Sequence, residues 1–368
     1  MTRTATIAAE TVFKTKLSGY KKLIDADIAE YAKVMRRHTL QQYGVAARVP
    51  ADAYFDMLGR GGKRIRGALV MLGYEMSGGA DIKMILQAAR ATEMIHAYLL
   101  IMDDIQDRSP LRRGAPTVHA QLAQYHEEHN LGADSEHFGV SLAINAMSIG
   151  NHAAQMIMTN LQAPESLRIS ALSILNRSLI VTAHGQTGDI MAEAAGATRE
   201  QDIENILEWK TAYYTVLNPL HTGMVLAGAD CHATDAITPY AINTGKAFQL
   251  RNDIIGTFGS AAENGKSPLD DIREGKHTLL TSYALKHASK ADRYFLLEQM
   301  GSSKLTQAQF EACKQIVVSS GALKHGTEAL KKYVKVASAS LVAESSRWPS
   351  ENVQFLQSFA SSLQQLPA

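Results

Sequence analysis

ATEMIHAYLLIMDDIQDRSPLRRGAPTVH, residues 91–119, begins as an apolar segment with the pattern of a buried helix and ends in three acids, Asp103, Asp104 and Asp107. On a helix, residues four apart share a face, so Asp103 and Asp107 project together, with Asp104 about 100° round. Two carboxylates on one face repel each other, and at the end of an apolar helix they cost stability unless a cation sits between them. Oxygen-only ligands suit a hard ion, and Mg²⁺ takes one or two carboxylates together with phosphate oxygens. Arg108, Arg112 and Arg113 follow at once, donors matched to phosphate. An acid cluster at a helix end is also a common solvated face; the apolar run before it and the arginines after it favour a Mg²⁺-bridged diphosphate.

Upstream, Leu17 to Tyr43 places apolar residues at helical spacing and predicts an amphipathic helix, with Pro50 ending the connection after it. In MLGRGGKRIRGALVMLGYEMSGG the glycines Gly59, Gly61 and Gly62 break the chain before a helix that ends near Gly78 and Gly79. Lys63, Arg64 and Arg66 are expected in its first turn, where the helix dipole disfavours cations. Together they read as an anion site, or else as a basic surface turn. Asp81 is placed to cap the helix leading to the aspartates.

Downstream, a short helix from Val118 to Tyr125 should give way to a polar loop holding His126, His129 and His137, without regular ligand spacing. Two long apolar-periodic stretches follow, Phe138 to Leu161 and Glu165 to Ala195. The second contains HGQTGDI, whose Gln186 and Asp189 either link helices or line a site. A helix from Thr198 carries Lys210 and Thr211, a snorkelling lysine or a phosphate group's partner. Thr238 and Pro239 open a segment with Gln249, Asn252 and Asp253 on one face. Four or five further helices complete the chain.

With 46% hydrophobic residues in 368, the chain can bury a substantial core. A net charge of +1 with scattered basic residues gives no reason to expect nucleic acid. Two cysteines, Cys231 and Cys313, without CxxC spacing indicate neither thiolate metal site nor disulfide framework. No window has signal-peptide or membrane-span character, so a soluble cytoplasmic protein is expected. There is no period-two alternation, repeat or composition break. The expectation is all-α: a single domain over residues 1–368, a bundle of about a dozen helices around a central cavity. Two helices ending in oxygen ligands would face each other there, above a pocket suited to a hydrocarbon tail.

GGKRIRG, MDDIQD with the following RRG, GQTGD, Lys210-Thr211, FQLRND and GKSPLDDIREGKHTLL span Gly61 to Leu280. Six such elements in this order resemble the trans-isoprenyl diphosphate synthases. The resemblance implies an isoprenoid-synthase-type bundle, a homodimer, and head-to-tail condensation of isopentenyl diphosphate with an allylic diphosphate. It further implies Asp103 and Asp107 as Mg²⁺ ligands with Asp104 in support, and Asn252 and Asp253 at a third Mg²⁺. Arg112, Lys210 and Lys266 would hold the allylic diphosphate, and Lys63, Arg66, His96 and Arg113 isopentenyl diphosphate. Thr211 and Gln249 would lie beside the developing cation. Tyr98 and Leu99, just upstream of the acids, would set product length, and an aromatic at Tyr98 resembles the short-chain synthases making geranylgeranyl or farnesyl diphosphate. One departure stands out: where the family's second motif reads DDxxD, this chain has Asn252-Asp253-Ile254-Ile255-Gly256. An amide brings no charge and glycine no side chain, so weaker binding of a third metal is expected. A class I terpene cyclase and a low-activity regulatory subunit remain as alternatives.

Overall fold

The computed structural model describes residues 3–195, 199–259, 269–302 and 304–366, and the chain packs as two compact helical units. The first unit is Lys14–Ser173 with Pro219–Ala229; the second is the stretch up to Phe13, Ile174–Asn218 and the chain from Asp230 on. Each is helical, as the absence of period-two alternation predicts.

In the first unit, α1 (Arg3–Gly59) is two helices joined at a kink at Gly44, whose φ of 82° and ψ of −174° are open to glycine. Pro50 lies inside the second of them and does not end a connection. α2 (Ile65–Met76) buries every residue but Glu75, the mark of a core helix rather than a surface one. Each of its buried Leu, Val and Met side chains contributes roughly 2 kcal/mol. α8 (Asn218–Leu226) reaches the same core backbone to backbone: a Cβ on Gly223 would stand 2.7 Å from the Tyr74 nitrogen. α3 (Ile82–Gln106) starts where Asp81 accepts the Met84 N–H at 3.0 Å, the cap expected from the sequence.

Between α3 and α4 (Val118–Glu128) lies a minimal antiparallel ribbon, β1 (Leu111–Arg112) with β2 (Ala115–Pro116), pairing Leu111 with Pro116 and Arg112 with Ala115. Two residues per strand are too few to alternate, so no strand signal is legible there in the sequence. α4 also runs past Tyr125, so His126 is helical and buried, with Nε2 2.9 Å from the Gly132 carbonyl, instead of lying in a polar loop. α5 (Ser135–Thr159) packs along α3 and α4.

The second unit is built on α9 (Cys231–Phe258), which begins at its Asp230 cap, well before Thr238, and carries Pro239 internally. Against it pack α14 (Ala322–Ala343) and a π-helical segment, Leu207–Leu217, that follows α7 (Glu200–Ile206). α6 (Glu165–Ala195) matches its expected bounds and spans both units. The remaining helices are α10 (Asp270–Arg273), α11 (Leu279–His287), α12 (Lys290–Gln299), α13 (Gln307–Ser319) and α15 (Ser350–Ser362). Tyr240 donates to the Leu356 carbonyl at 2.7 Å, tying α9 to α15.

Candidate active site

In the first unit the acids lie at the C-terminal end of α3. Asp103 and Asp107 are half-buried, while Asp104 is fully buried. The ribbon folds Arg112 back over them. Its Nε donates to Asp104 Oδ1 at 2.6 Å and its Nη2 to Asp103 Oδ2 at 3.2 Å. Burial works against the Arg112 guanidinium, but Asp104 and Asp103 more than offset it and raise its pKa overall. Breaking such a buried pair from one side costs ~3–5 kcal/mol, so Asp104 anchors the segment.

Among the described residues no three His, Cys, Asp or Glu side chains converge as a ready-made metal cage. The donor set at Asp103 and Asp107 nevertheless fits Mg²⁺, whose octahedron is usually completed by substrate phosphate and water.

Seven residues before Asp103, on the same helix, His96 meets the glycine-rich turn ahead of α2. Arg66 Nη1 lies 3.1 Å from His96 Nε2. Arginine only donates, so Nε2 accepts and the imidazole proton resides on Nδ1. Burial, then Arg66, Arg113, Arg112 and Arg64, hold the His96 pKa well below its ordinary 6.5. Arg113, with φ 55°, donates to the Gly61 carbonyl and lies over Gly62, where a Cβ would come within 3.0 Å of its Nη2. Arg66, His96 and Arg113 thus converge, and Lys63 is exposed at the preceding turn.

Arg64 departs from expectation. It does not belong to the first turn of α2 but precedes it in the left-handed conformation, 5% exposed and hydrogen-bonded to Asp25 and Glu93. Of the three cations only Arg66 lies in the first turn. Glu93 and Asp25 were not singled out from the sequence; an acid inside the apolar run ATEMIHAYLL was the available signal.

In the second unit the π-helical segment carries Lys210 and Thr211. Lys210 is ion-paired to Asp189 of α6, so this residue of GQTGD links two helices. Thr211 donates to Gln249 Oε1 at 3.0 Å, and Gln249 Nε2 donates to Asp253 Oδ1 at 2.7 Å. Asp253 is buried and Asn252 beside it half-exposed. His277, also buried, has its pKa lowered by desolvation against a smaller opposing pull from Asp189. The segment is clamped from two sides. A Cβ on Gly185 would sit 2.7 Å from Lys210 Cα, and one on Gly245 would sit 2.5 Å from Ala212 Cβ. Tyr98 is half-buried and Leu99 buried on α3. Lys266 lies outside the described residues.

The first unit thus carries an acid-bearing core helix beside a cluster of arginines, and the second a polar chain from Thr211 through Gln249 to Asp253. The chain belongs to the polyprenyl synthetase family, whose profile matches residues 49–317, and is a prenyltransferase of the isoprenyl diphosphate synthase kind. It is 28% identical to the geranylgeranyl diphosphate synthase of Sulfolobus acidocaldarius, over 84% of this chain and 89% of that one. It is 30% identical to the geranylfarnesyl diphosphate synthase of Aeropyrum pernix, over 78% and 85%. The crystal structure of a Corynebacterium glutamicum geranylgeranyl pyrophosphate synthase, complexed with isoprenyl diphosphate and magnesium, superposes with a TM-score of 0.89 at 27% identity, covering 95% of this chain and 99% of that one. Among the described residues no helix is long and apolar enough to cross a membrane.

Proposed function

We propose that this chain condenses isopentenyl diphosphate with an allylic diphosphate, using Mg²⁺, to give geranylgeranyl diphosphate. The observation that carries the reading is the double use of α3. His96 of the anion pocket and the acids Asp103 and Asp107 recur at seven and eleven residues on one helical face, about 10 Å and 16 Å along the axis. One rigid element therefore presents an anion pocket and a carboxylate pair in fixed register. A terpene cyclase has one diphosphate to hold and no use for a second pocket.

In this reading Lys63, Arg66, His96 and Arg113 bind isopentenyl diphosphate, while Arg112, Lys210 and Lys266 bind the allylic diphosphate. Asp103 and Asp107 would hold Mg²⁺, with Asn252 and Asp253 as a weaker further site. Bound Mg²⁺ supplies charge that stabilises the departing diphosphate. Ionisation breaks the allylic C–O bond, the isopentenyl double bond attacks the resulting cation, and a proton is lost. Thr211 and Gln249 would lie beside that cation, and apolar walls would exclude water. Among the described residues no side chain is an evident base, so in this reading the departed diphosphate takes the proton. We further propose one catalytic module over residues 1–368, acting as a homodimer, as the family resemblance implies.

The test is radiolabelled isopentenyl diphosphate with Mg²⁺ and dimethylallyl, geranyl or farnesyl diphosphate, followed by analysis of product length. Incorporation into a twenty-carbon product is expected. Cyclised hydrocarbon without incorporation would establish a terpene cyclase, and no turnover by the chain alone would favour the regulatory subunit that Asn252 and Gly256 leave open.

A further inference from the structure

Arg64 is buried among carboxylates at the edge of the anion pocket, yet its own guanidinium is fully directed into the protein. Its Nε donates to Asp25 Oδ1 at 2.8 Å, its Nη1 to Glu93 Oε2 at 3.3 Å and its Nη2 to the Leu58 carbonyl at 2.8 Å. One fork thereby joins both ends of the α1 packing to α3. Its backbone is left-handed, with φ 51° and ψ 33°, a conformation an L-residue holds only when its surroundings fix it.

Glu93 is 2% exposed. Its Oε1 accepts the Gly67 N–H at 2.8 Å. As the N-cap of α2, Arg64 makes no side-chain cap, so the carboxylate of another helix satisfies the orphan donor there. Gly67 makes room for it: a Cβ at that position would sit 3.1 Å from Glu93 Cγ.

We propose that Glu93 and Arg64 are positioning residues for the isopentenyl diphosphate pocket, clamping the turn that carries Lys63 and the first turn of α2 that carries Arg66, without touching the diphosphate. The inference rests on the assignment of Lys63, Arg66, His96 and Arg113 to that pocket. Asp25 is the outer member of the clamp. With Arg64 and Gly61 it lines an open groove of ≈ 530 Å³, so water can enter if its charge is removed.

Coulomb's law and positioning predict opposite signs. Glu93 places a negative charge close enough to Arg113 to favour that guanidinium's charged form. Removing it should by electrostatics alone tighten the binding of an anion. Loss of the clamp should weaken it.

The experiment is steady-state kinetics of Glu93→Gln and Arg64→Lys, varying each substrate in turn, with Arg66→Met as the reference for the pocket. Lysine keeps the charge at position 64 but cannot span three acceptors. In both clamp variants KM for isopentenyl diphosphate is expected to rise about tenfold, the effect of losing one charge-assisted hydrogen bond, with kcat and the allylic KM within about twofold. An unchanged or lowered KM while Arg66→Met raises it overturns the clamp, as does an equal loss in every parameter. An unchanged KM in Arg66→Met overturns the pocket assignment instead. Should Glu93→Gln prove insoluble, Asp25→Asn decides: about a threefold rise is expected from loss of the partly exposed partner, and no rise overturns the proposal.

Discussion

Gly185→Ala tests whether the π-helical segment is held where its backbone meets α6. The added Cβ would stand 2.7 Å from both Lys210 Cα and the Trp209 carbonyl carbon, and nearer still to the Lys210 nitrogen, where ordinary contact begins at 3.4 Å. These are backbone atoms, so no side chain can swing aside. The segment must retreat from α6 by about 1 Å, with overpacking of ~1–3 kcal/mol. It carries Lys210, proposed to hold the allylic diphosphate, and Thr211. A displacement of that size at such groups costs about a hundredfold in rate, or ~2.7 kcal/mol of transition-state stabilisation.

The assay pairs kcat from isopentenyl diphosphate incorporation with thermal unfolding, and the control lies within the same motif. A Cβ on Gly188 would meet only the Ile206 side chain, at 3.3 and 3.9 Å. Gly188→Ala should therefore leave kcat within about twofold and gain some of the ~1 kcal/mol by which alanine exceeds glycine in a helix. Wild-type kcat and unfolding temperature in Gly185→Ala would refute the reasoning, as would equal damage from the two alanines.

Asn252→Asp would place a charged ligand at the proposed weaker metal position and is expected to lower the Mg²⁺ concentration for half-maximal rate; an unchanged requirement would mean that Asp253 already suffices. Tyr98→Ala should shift products to longer chains, read by product analysis, since the ring lies five residues or roughly 7.5 Å before Asp103; an unaltered length distribution would remove it as the limit. His96, His119 and His277 are each held below the ordinary imidazole value of 6.5, chiefly by burial. The unfolded chain then binds more protons below pH 6.5, so stability is full above that pH and falls as pH drops through it. Thermal unfolding followed from about pH 7.5 to 5.5 should show this loss, and His96→Gln should flatten it; a pH-independent unfolding temperature would contradict it.

The sequence displays what depends on spacing along a single helix. The extent of α6, the Asp81 cap and the shared face of Gln249 and Asp253 all follow from 3.6-residue periodicity and local capping. It hides what depends on neighbours. Pro239 has every appearance of a helix start, yet α9 runs through it, because packing against α14 and the π-helical segment outweighs one missing N–H. The π-helical segment itself is invisible in the pattern of apolar residues. Gly185 and Gly245 let two other helices approach its backbone closely, a contact that no periodicity records.

The same distinction governs the acids. Counted along the chain, MDDIQD offers three equivalent carboxylates, and FQLRND offers one beside an amide. In the folded protein they are not equivalent. Asp104 is buried against Arg112, an arrangement that depends on a two-residue ribbon bringing position 112 back over α3. Asp253 accepts from Gln249, which in turn accepts from Thr211. Each motif therefore commits one carboxylate to orienting its neighbours. That division suits a site working with diphosphate, because phosphate oxygens complete the coordination of a hard ion and a full protein cage would compete with them.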